Sequence, residues 1–190
     1  MEPISHIDPD QGILFFRGMN ATELAETSRF EDVTFLLLHG RIPSEAESTQ
    51  FRERMIELRE IGEQYISSVL SDIESHHCSF NADGPEMLET SGLRRLADKL
   101  DICRDTKGLS ELDTTLLFVS NAPIVVAAEW RIRHNKARIT SRDSYRHAAN
   151  FLWMLNETSL NEFDSKDLDT CLILHMDDPD NPSLAALENT

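Results

Sequence analysis

The stretch ISHIDPDQGILFFRGMNATELAETSRFEDVTFLLLHGRIPSEAE, residues 4–47, contains the clearest turn and helix signals in this chain of 190 residues. Its first part has isoleucines before the turn composition Asp-Pro-Asp-Gln-Gly at 8–12, and a short apolar run at 13–16 after it. A turn of this composition between two apolar runs is typical of a β-hairpin. The sequence therefore predicts a hairpin over residues 3–17.

Helix-start signals follow the predicted hairpin. Residues 20–23 and 28–31 both have the capping-box pattern, in which a side-chain oxygen accepts from the third helical N–H and a glutamate reaches back. The second pattern opens FEDVTFLLLHG, and Gly40 is expected to end that helix because glycine tolerates the left-handed conformation. Pro43 prevents continuation, and the pattern at 44–47 predicts the start of the next helix.

Most of the remaining chain also has helical periodicity. The predicted elements are, in order, a helix with Phe51, Met55 and Leu58 on one face, a separate helix with Tyr65, Ile66, Val69, Leu70 and Ile73, a loop from 76 to 84, a helix from Pro85 to about Leu100, and helices over 109–133, 143–155 and 164–175. Pro123 should kink or split the 109–133 helix. The sequence predicts an all-α fold with a small N-terminal β-hairpin, as one domain over 1–190 with helices from 20 to 175 and a polar tail over 176–190.

Charge and composition limit the possible partners. The net charge of −16 disfavours a nucleic-acid backbone, because phosphates would be repelled. No apolar run approaches the ~20 residues of a membrane span, so no membrane partner is expected. The opening MEPISHIDPD is acidic and lacks an apolar core, which predicts a cytoplasmic protein. The cysteines Cys78, Cys103 and Cys171 are odd in number and irregularly spaced, and we expect free, mostly buried thiols.

Four stretches carry motifs in a specific order. Residues 4–47 contain an Ile-Asp-turn-Gly-Ile-Leu hairpin, an aromatic-Arg-Gly, a Glu-Leu-Ala helix and a Phe-Glu-x-Val helix ending Leu-Leu-x-x-Gly-x-x-Pro. NAPIVVAAEWRIRHNKARI (121–139) carries Pro-x-x-x-Ala-Ala-x-x-Arg-x-Arg, HAANFLWML (147–155) carries Asn-Phe-Leu-x-Met-Leu, and LILHMDDPDNPS (172–183) carries Leu-Ile-Leu-His-x-Asp. Together these motifs resemble the citrate synthase family across essentially the whole chain.

The resemblance implies part of the citrate-synthase-like large-domain helical bundle over 1–190. The family condenses acetyl-CoA with oxaloacetate, or a related 2-oxoacid, and hydrolyses the citryl-CoA intermediate. A carbon acid of high pKa needs a positioned base and a donor to the developing enolate oxygen. The family supplies a carboxylate base, a neutral histidine for the enol, and a second histidine that polarises the 2-oxoacid carbonyl. We expect no permanently bound cofactor, with acetyl-CoA as co-substrate of a complete assembly.

The resemblance also implies a substrate-binding stretch, vestigial or shared with another segment, at His175, Asp178, Asn181 and Ser183. The family's 2-oxoacid-binding histidine corresponds to Asp178, which when ionised can only accept hydrogen bonds and would repel a dicarboxylate. All three catalytic residues fall in family segments that this chain does not contain, so no catalytic residue is assigned. From the residues alone, a capping or hydrogen-bonded core role is favoured for His175 over a ligand role.

Two other clusters have simpler interpretations. HMDDPD at 175–180 contains carboxylates that hard cations favour, but it lacks a fixed loop-and-glycine pattern, so no metal site is expected. The basic residues Arg131, Arg133, Lys136 and Arg138 could face an acidic ligand, but surface ion pairs are favoured in so acidic a protein.

Three functional hypotheses remain open. The first is a citrate synthase-like acyltransferase, present as an N-terminal portion or split subunit that is inactive alone. The alternative is a non-catalytic interaction or regulatory subunit that pairs with a full-length citrate synthase. The third, a stand-alone helical protein, is disfavoured because an isolated piece should expose large apolar patches. The expected partner is a complementary or full-length citrate synthase chain, in a homo- or hetero-oligomer such as a dimer. The 2-oxoacid and the direction of reaction stay open.

Overall fold

The computed structural model describes residues 4–76, 92–157 and 162–176, and within these ranges the chain is mainly helical. The elements are β1 (Ser5–Asp8), β2 (Ile13–Phe16), β3 (Met19–Asn20), α1 (Ala21–Thr27), α2 (Phe30–His39), α3 (Glu45–His76), α4 (Gly92–Lys107), α5 (Glu111–Arg133), α6 (His147–Asn156) and α7 (Glu162–Leu174). This architecture confirms the predicted all-α class with a small N-terminal sheet.

The three strands form one antiparallel sheet in the order β1-β2-β3. The register of β1 and β2 pairs Ser5 with Phe16, and the turn between them is closed by Asp8, whose Oδ1 accepts from the backbone N–H of Asp10 at 2.9 Å. The predicted hairpin is therefore confirmed. The third strand was not predicted, because Met19 and Asn20 form too short a run to show strand periodicity.

The boundaries of α1 and α2 test the two predicted capping boxes. Asn20 does cap α1, although its side-chain oxygen accepts from Thr22 N–H at 2.9 Å rather than from the third helical residue. The prediction for Ser28 is wrong: its N–H donates to Leu24 O at 2.8 Å, so Ser28 ends α1 instead of opening α2. Helix α2 begins after Arg29, whose side chain forms no capping hydrogen bond.

The predicted end of α2 and start of α3 are both confirmed. Gly40 has a positive φ of 76° at the C-terminus of α2, and its N–H donates to Leu36 O. Ser44 and Glu47 form the reciprocal capping box, with Ser44 N–H donating to Glu47 Oε2 at 2.9 Å and Glu47 N–H to Ser44 Oγ at 3.4 Å. The two separate helices predicted next are wrong, because α3 continues for 32 residues and includes His76.

Later boundaries also differ from the predictions. Helix α4 continues to Lys107 instead of ending near Leu100, and α6 begins at His147 rather than 143. Helix α5 remains one helix across Pro123, so the predicted split is wrong. The predicted helix start at Pro85 and most of the loop at 76–84 lie outside the described residues.

The contacts divide the chain into two compact units: a first unit of Met1–Phe51 and Asn161–Thr190, and a second unit of Arg52–Leu160. In the first unit, α1, α2, β2 and α7 share one apolar core. Its buried members include Phe16, Leu24, Val33, Leu36 and Ile173. Burial of these side chains is the main favourable term for this unit, at about 1.5–3 kcal/mol for each large side chain.

In the second unit, α5 packs against α4 and α6. Buried leucines at 96, 100 and 117 fill this core, together with Val125. Among the described residues, α5 alone has the length and the average hydropathy of a membrane-crossing helix, although Asn121 and Pro123 interrupt its apolar run. A core helix can have the same length and apolar composition, and α5 packs against α4 and α6 as a core helix does.

Candidate functional site

Helix α7 leads to the predicted substrate-binding stretch, and it is anchored where α1 gives way to α2. Lys166 Nζ donates to Ala25 O at 2.8 Å and to Ser28 O at 3.0 Å. Thr170 Oγ1 also donates to Ala25 O, at 3.2 Å. The last carbonyls of a helix lack intrahelical partners, so α7 supplies donors that satisfy the C-terminal end of α1.

The same helix supplies an acceptor to the beginning of α2. Asp169 accepts from the backbone N–H of Phe30 and, at 3.4 Å, from the guanidinium of Arg29. An N-terminal N–H of a helix needs such an acceptor, and Asp169 provides the cap that was expected from Ser28. Burial raises the pKa of Asp169, as does the nearby carboxyl of Glu31, while Arg29 and Phe30 act in the opposite direction.

His175 follows the last residue of α7 and is exposed, so the expected placement in a core is wrong. Its Nδ1 lies 2.7 Å from Cys171 O, which agrees with the expected hydrogen bond. A carbonyl oxygen can only accept, so Nδ1 carries the proton and the neutral ring retains its lone pair on Nε2. The other predicted site residues, Asp178, Asn181 and Ser183, lie outside the described residues.

The second unit has an open cleft of about 730 Å³ that the sequence did not indicate. Its lining combines apolar side chains such as Ile66, Leu70 and Ile124 with the charged side chains of Arg59, Arg138 and Asp143. Arg59 and Asp143 approach to 3.9 Å. Cleft walls of both charge signs do not favour a strongly charged ligand of either sign. No local motif marks this cleft, because its lining comes from distant parts of the sequence.

His147, at the start of α6, is the histidine with the most altered titration among the described residues. Burial lowers its pKa to about 3, and the positive charge of Arg59 contributes to the same shift. The imidazole is therefore neutral at physiological pH, which excludes a role as a cationic anchor for an anionic substrate.

Of the basic cluster predicted to form surface ion pairs, Arg133 and Arg138 do so. Arg133 pairs with Glu129 at 2.6 Å and Arg138 pairs with Glu74 at 3.1 Å. Arg131 is nearly buried and lies 3.5 Å from Glu157. Lys136 lies 4.8 Å from the centre of the Trp130 ring, a cation–π arrangement.

Metal-ligating and thiol groups are placed as follows. In the ranges 4–76, 92–157 and 162–176, no group of three or more His, Cys, Asp or Glu side chains could hold a metal ion. Cys103 is buried as predicted, whereas Cys171 is exposed, and Cys78 lies outside the described residues. The expectation of a buried thiol is therefore wrong for Cys171.

Comparisons with known proteins place the chain in a family. A family model described as citrate synthase, C-terminal domain, matches residues 2–188. The chain is 33% identical to a citrate synthase from Synechocystis over 184 residues, covering 95% of this chain and 44% of the relative. It is 29% identical to a citrate synthase from Haloferax volcanii over 174 residues, covering 92% of this chain and 45% of the relative.

A solved structure gives the same result. The crystal structure of citrate synthase from Pyrobaculum aerophilum matches with a TM-score of 0.70 and 28% identity, over 94% of this chain and 45% of that one. The chain thus spans a little under half the length of these relatives. The match nevertheless covers nearly all of its own residues, and on that ground the chain belongs to the citrate synthase family.

Proposed function

We propose that this chain forms the N-terminal part of a citrate synthase-like acyltransferase. Together with the rest of the fold, it would condense acetyl-CoA with oxaloacetate or a related 2-oxoacid. The observation that carries the proposal is the family match over residues 2–188, in a chain that spans about 44% of the Synechocystis relative. We expect the 190 residues alone to be inactive. Enolisation of acetyl-CoA needs a base and a hydrogen-bond donor to the enolate oxygen, and the resemblance assigns neither to a residue of this chain.

Within that assembly, His175 is the predicted substrate-binding residue that lies among the described residues. Its Nδ1 is engaged by Cys171 O, which sets the tautomer and leaves Nε2 as an acceptor. Helix α7 holds this end of the stretch in place through Lys166 and Thr170. We therefore place His175 in the substrate site as a hydrogen-bond acceptor through Nε2, and we assign no catalytic step to it.

The test compares the isolated chain with the chain and its native companion. We expect no CoA release from acetyl-CoA and oxaloacetate by the 190 residues alone, and release by the assembly that co-purifies from the host. His175→Ala should lower the activity of that assembly by at least about tenfold, the loss expected for one misplaced active-site contact. Robust CoA release by the isolated chain would contradict the proposal.

His134→Ala is a matched control for His175→Ala. His134 is also exposed, and its Nδ1 lies 2.7 Å from the carbonyl four residues earlier, Trp130 O, as in His175. It follows α5 in the second unit, far from the substrate-binding stretch in sequence. Activity in the assembly should survive this change, so that equal losses in both variants would indicate a purely structural effect.

A second candidate function is a non-catalytic subunit that pairs with a full-length citrate synthase. The observation that favours it is Asp178, which stands where the resemblance implies a 2-oxoacid-binding histidine. Mass spectrometry of the co-purified companion distinguishes the two functions. A companion that carries only the missing half supports the acyltransferase assembly, and a full-length citrate synthase supports the regulatory subunit.

A further inference from the structure

The junction of α1, α2 and α7 contains two buried carboxyl groups. Glu31 and Asp169 are each only 2% exposed, and they lie close enough for the charge of Glu31 to affect Asp169. Arg29 lies beside Asp169, at a distance of 3.4 Å, and its side chain is 36% exposed. With both carboxyls ionised, Glu31 and Asp169 repel each other at a place where both side chains are shielded from water.

The hydrogen bonds of Asp169 satisfy one side of its carboxyl group. Phe30 N–H and Arg29 donate to it, whereas Asp169 Oδ1 is buried and accepts no hydrogen bond from the described residues. An ionised oxygen without a donor is costly in a buried site, and protonation removes that cost. Arg29 offsets the cost of this unpaired oxygen only partly, because its side chain is partly exposed and water screens an ion pair of this kind.

The other charged groups around this junction are engaged elsewhere or exposed. Lys166, on α7 itself, donates to the carbonyls of Ala25 and Ser28. Asp32 of α2 accepts from Ser48 Oγ. Glu23 and Glu26 of α1 and Asp167 of α7 are exposed to solvent. Among the described residues, Arg29 is therefore the cation that faces Asp169.

We propose that α7 docks onto α1 and α2 most firmly when Asp169 carries a proton. The docking of the helix that leads to His175 is then linked to pH. In the protonated state the carboxyl can still accept from Phe30 and Arg29, while its repulsion of Glu31 is removed.

The sign of the pH dependence follows from linkage. Burial and Glu31 raise the pKa of Asp169 above its unfolded value. The stabilisation is fully present below the unfolded pKa and is lost as the pH rises through the folded pKa. Helix α7 should therefore be released more readily at higher pH, by up to about tenfold per pH unit, which is the limit for one proton.

Amide hydrogen exchange of the full chain, read on the amides of α7 from about pH 3.5, below the unfolded pKa of an aspartate, to about pH 7 and corrected for intrinsic exchange, measures this release. Wild-type α7 should open more often as the pH rises. Asp169→Asn removes the charge but keeps an acceptor, so α7 should stay protected with little pH dependence. Asp167→Asn makes the same change of charge at an exposed position two residues earlier, and it should behave like wild type.

A readout confined to α7 is needed because other groups also titrate. Burial lowers the pKa of His147 from the ordinary histidine value of 6.5 to about 3. The second unit therefore becomes more stable as the pH rises from the lower pKa to the higher one. A global melting curve would mix the two opposite slopes. Glu31→Gln provides a second test, in which the pH dependence of α7 opening should become shallower, and it decides the question if Asp169→Asn does not fold.

The proposal is overturned if wild-type α7 opens equally often across this pH range, or if Asp169→Asn keeps the wild-type slope. It is also overturned if Asp167→Asn flattens the slope as much as Asp169→Asn, because the effect would then come from general charge. The readout is exchange rather than catalysis, so its failure would leave the proposed acyltransferase function untouched.

Discussion

Asn121 shows how one polar residue can fix the approach of two helices. It is fully buried on α5, and its Nδ2 donates to Leu58 O of α3 at 3.3 Å and to Leu117 O at 2.7 Å. Gly62 faces it, and a Cβ at that position would lie only 2.5 Å from Asn121 Nδ2. Gly62→Ala should therefore destabilise the chain by about 1–3 kcal/mol, as overpacking does, and urea denaturation would measure the loss.

The control for Gly62→Ala is the same change in an Asn121→Ala background. Alanine is a better helix former than glycine by about 1 kcal/mol, so Gly62→Ala should be neutral or stabilising once the amide is removed. The two single changes and the double change form a mutant cycle with a clear coupling energy. Additive losses would show that the close approach of Gly62 and Asn121 does not limit packing.

Arg131 has a comparable role between elements. It lies at the end of α5 and is 6% exposed, and its guanidinium donates to Ala137 O and, at 2.8 Å, to Leu155 O of α6. One side chain thus holds the segment between α5 and α6 as well as the end of α6. Arg131→Met should cost about 1.5–3 kcal/mol, because Ala137 O and Leu155 O lose hydrogen bonds from a charged donor. Thermal or urea denaturation would show this loss.

Arg133→Met is the matched control for Arg131→Met, two residues further along α5. Arg133 is 28% exposed at its side chain and pairs with Glu129 within one helix. A partly exposed pair of this kind contributes about 0–1 kcal/mol, so its removal should have a small effect. Equal losses in the two variants would mean that charge, rather than the carbonyl contacts, explains the contribution of Arg131.

The elements also show what the sequence could and could not predict. Gly40 and the box of Ser44 and Glu47 were identified because their signals are local, within a few residues. The cap of α2 was not, because its acceptor is Asp169, far away in sequence. The two helices predicted over this region are one helix, α3, in which Gly62 allows the close approach of Asn121. For the predicted site, only His175 lies in the described residues, so its grouping with Asp178 stays a prediction.

At the scale of the whole molecule, the first unit is assembled from the two ends of the chain. Its strands and short helices come from Met1–Phe51, and α7 comes from Asn161–Thr190. More than a hundred residues separate these parts, and closing a loop of that length has an entropic cost that local contacts cannot offset. Ile173, which is fully buried in the shared core, is a principal apolar contact by which α7 offsets that cost.

Ile173→Ala should therefore release α7 and weaken the whole first unit. Removing a buried isoleucine side chain costs about 2–5 kcal/mol, and the loss should appear as faster amide exchange in α1, α2 and α7. Leu174→Ala removes a similar side chain from the next position, but Leu174 is 38% exposed, so its effect should be smaller, about 1–2 kcal/mol. The amides of α5, in the second unit, are the internal reference. Faster exchange in α5 to the same extent would show that the chain opens as one cooperative body, and that α7 does not close a unit of its own.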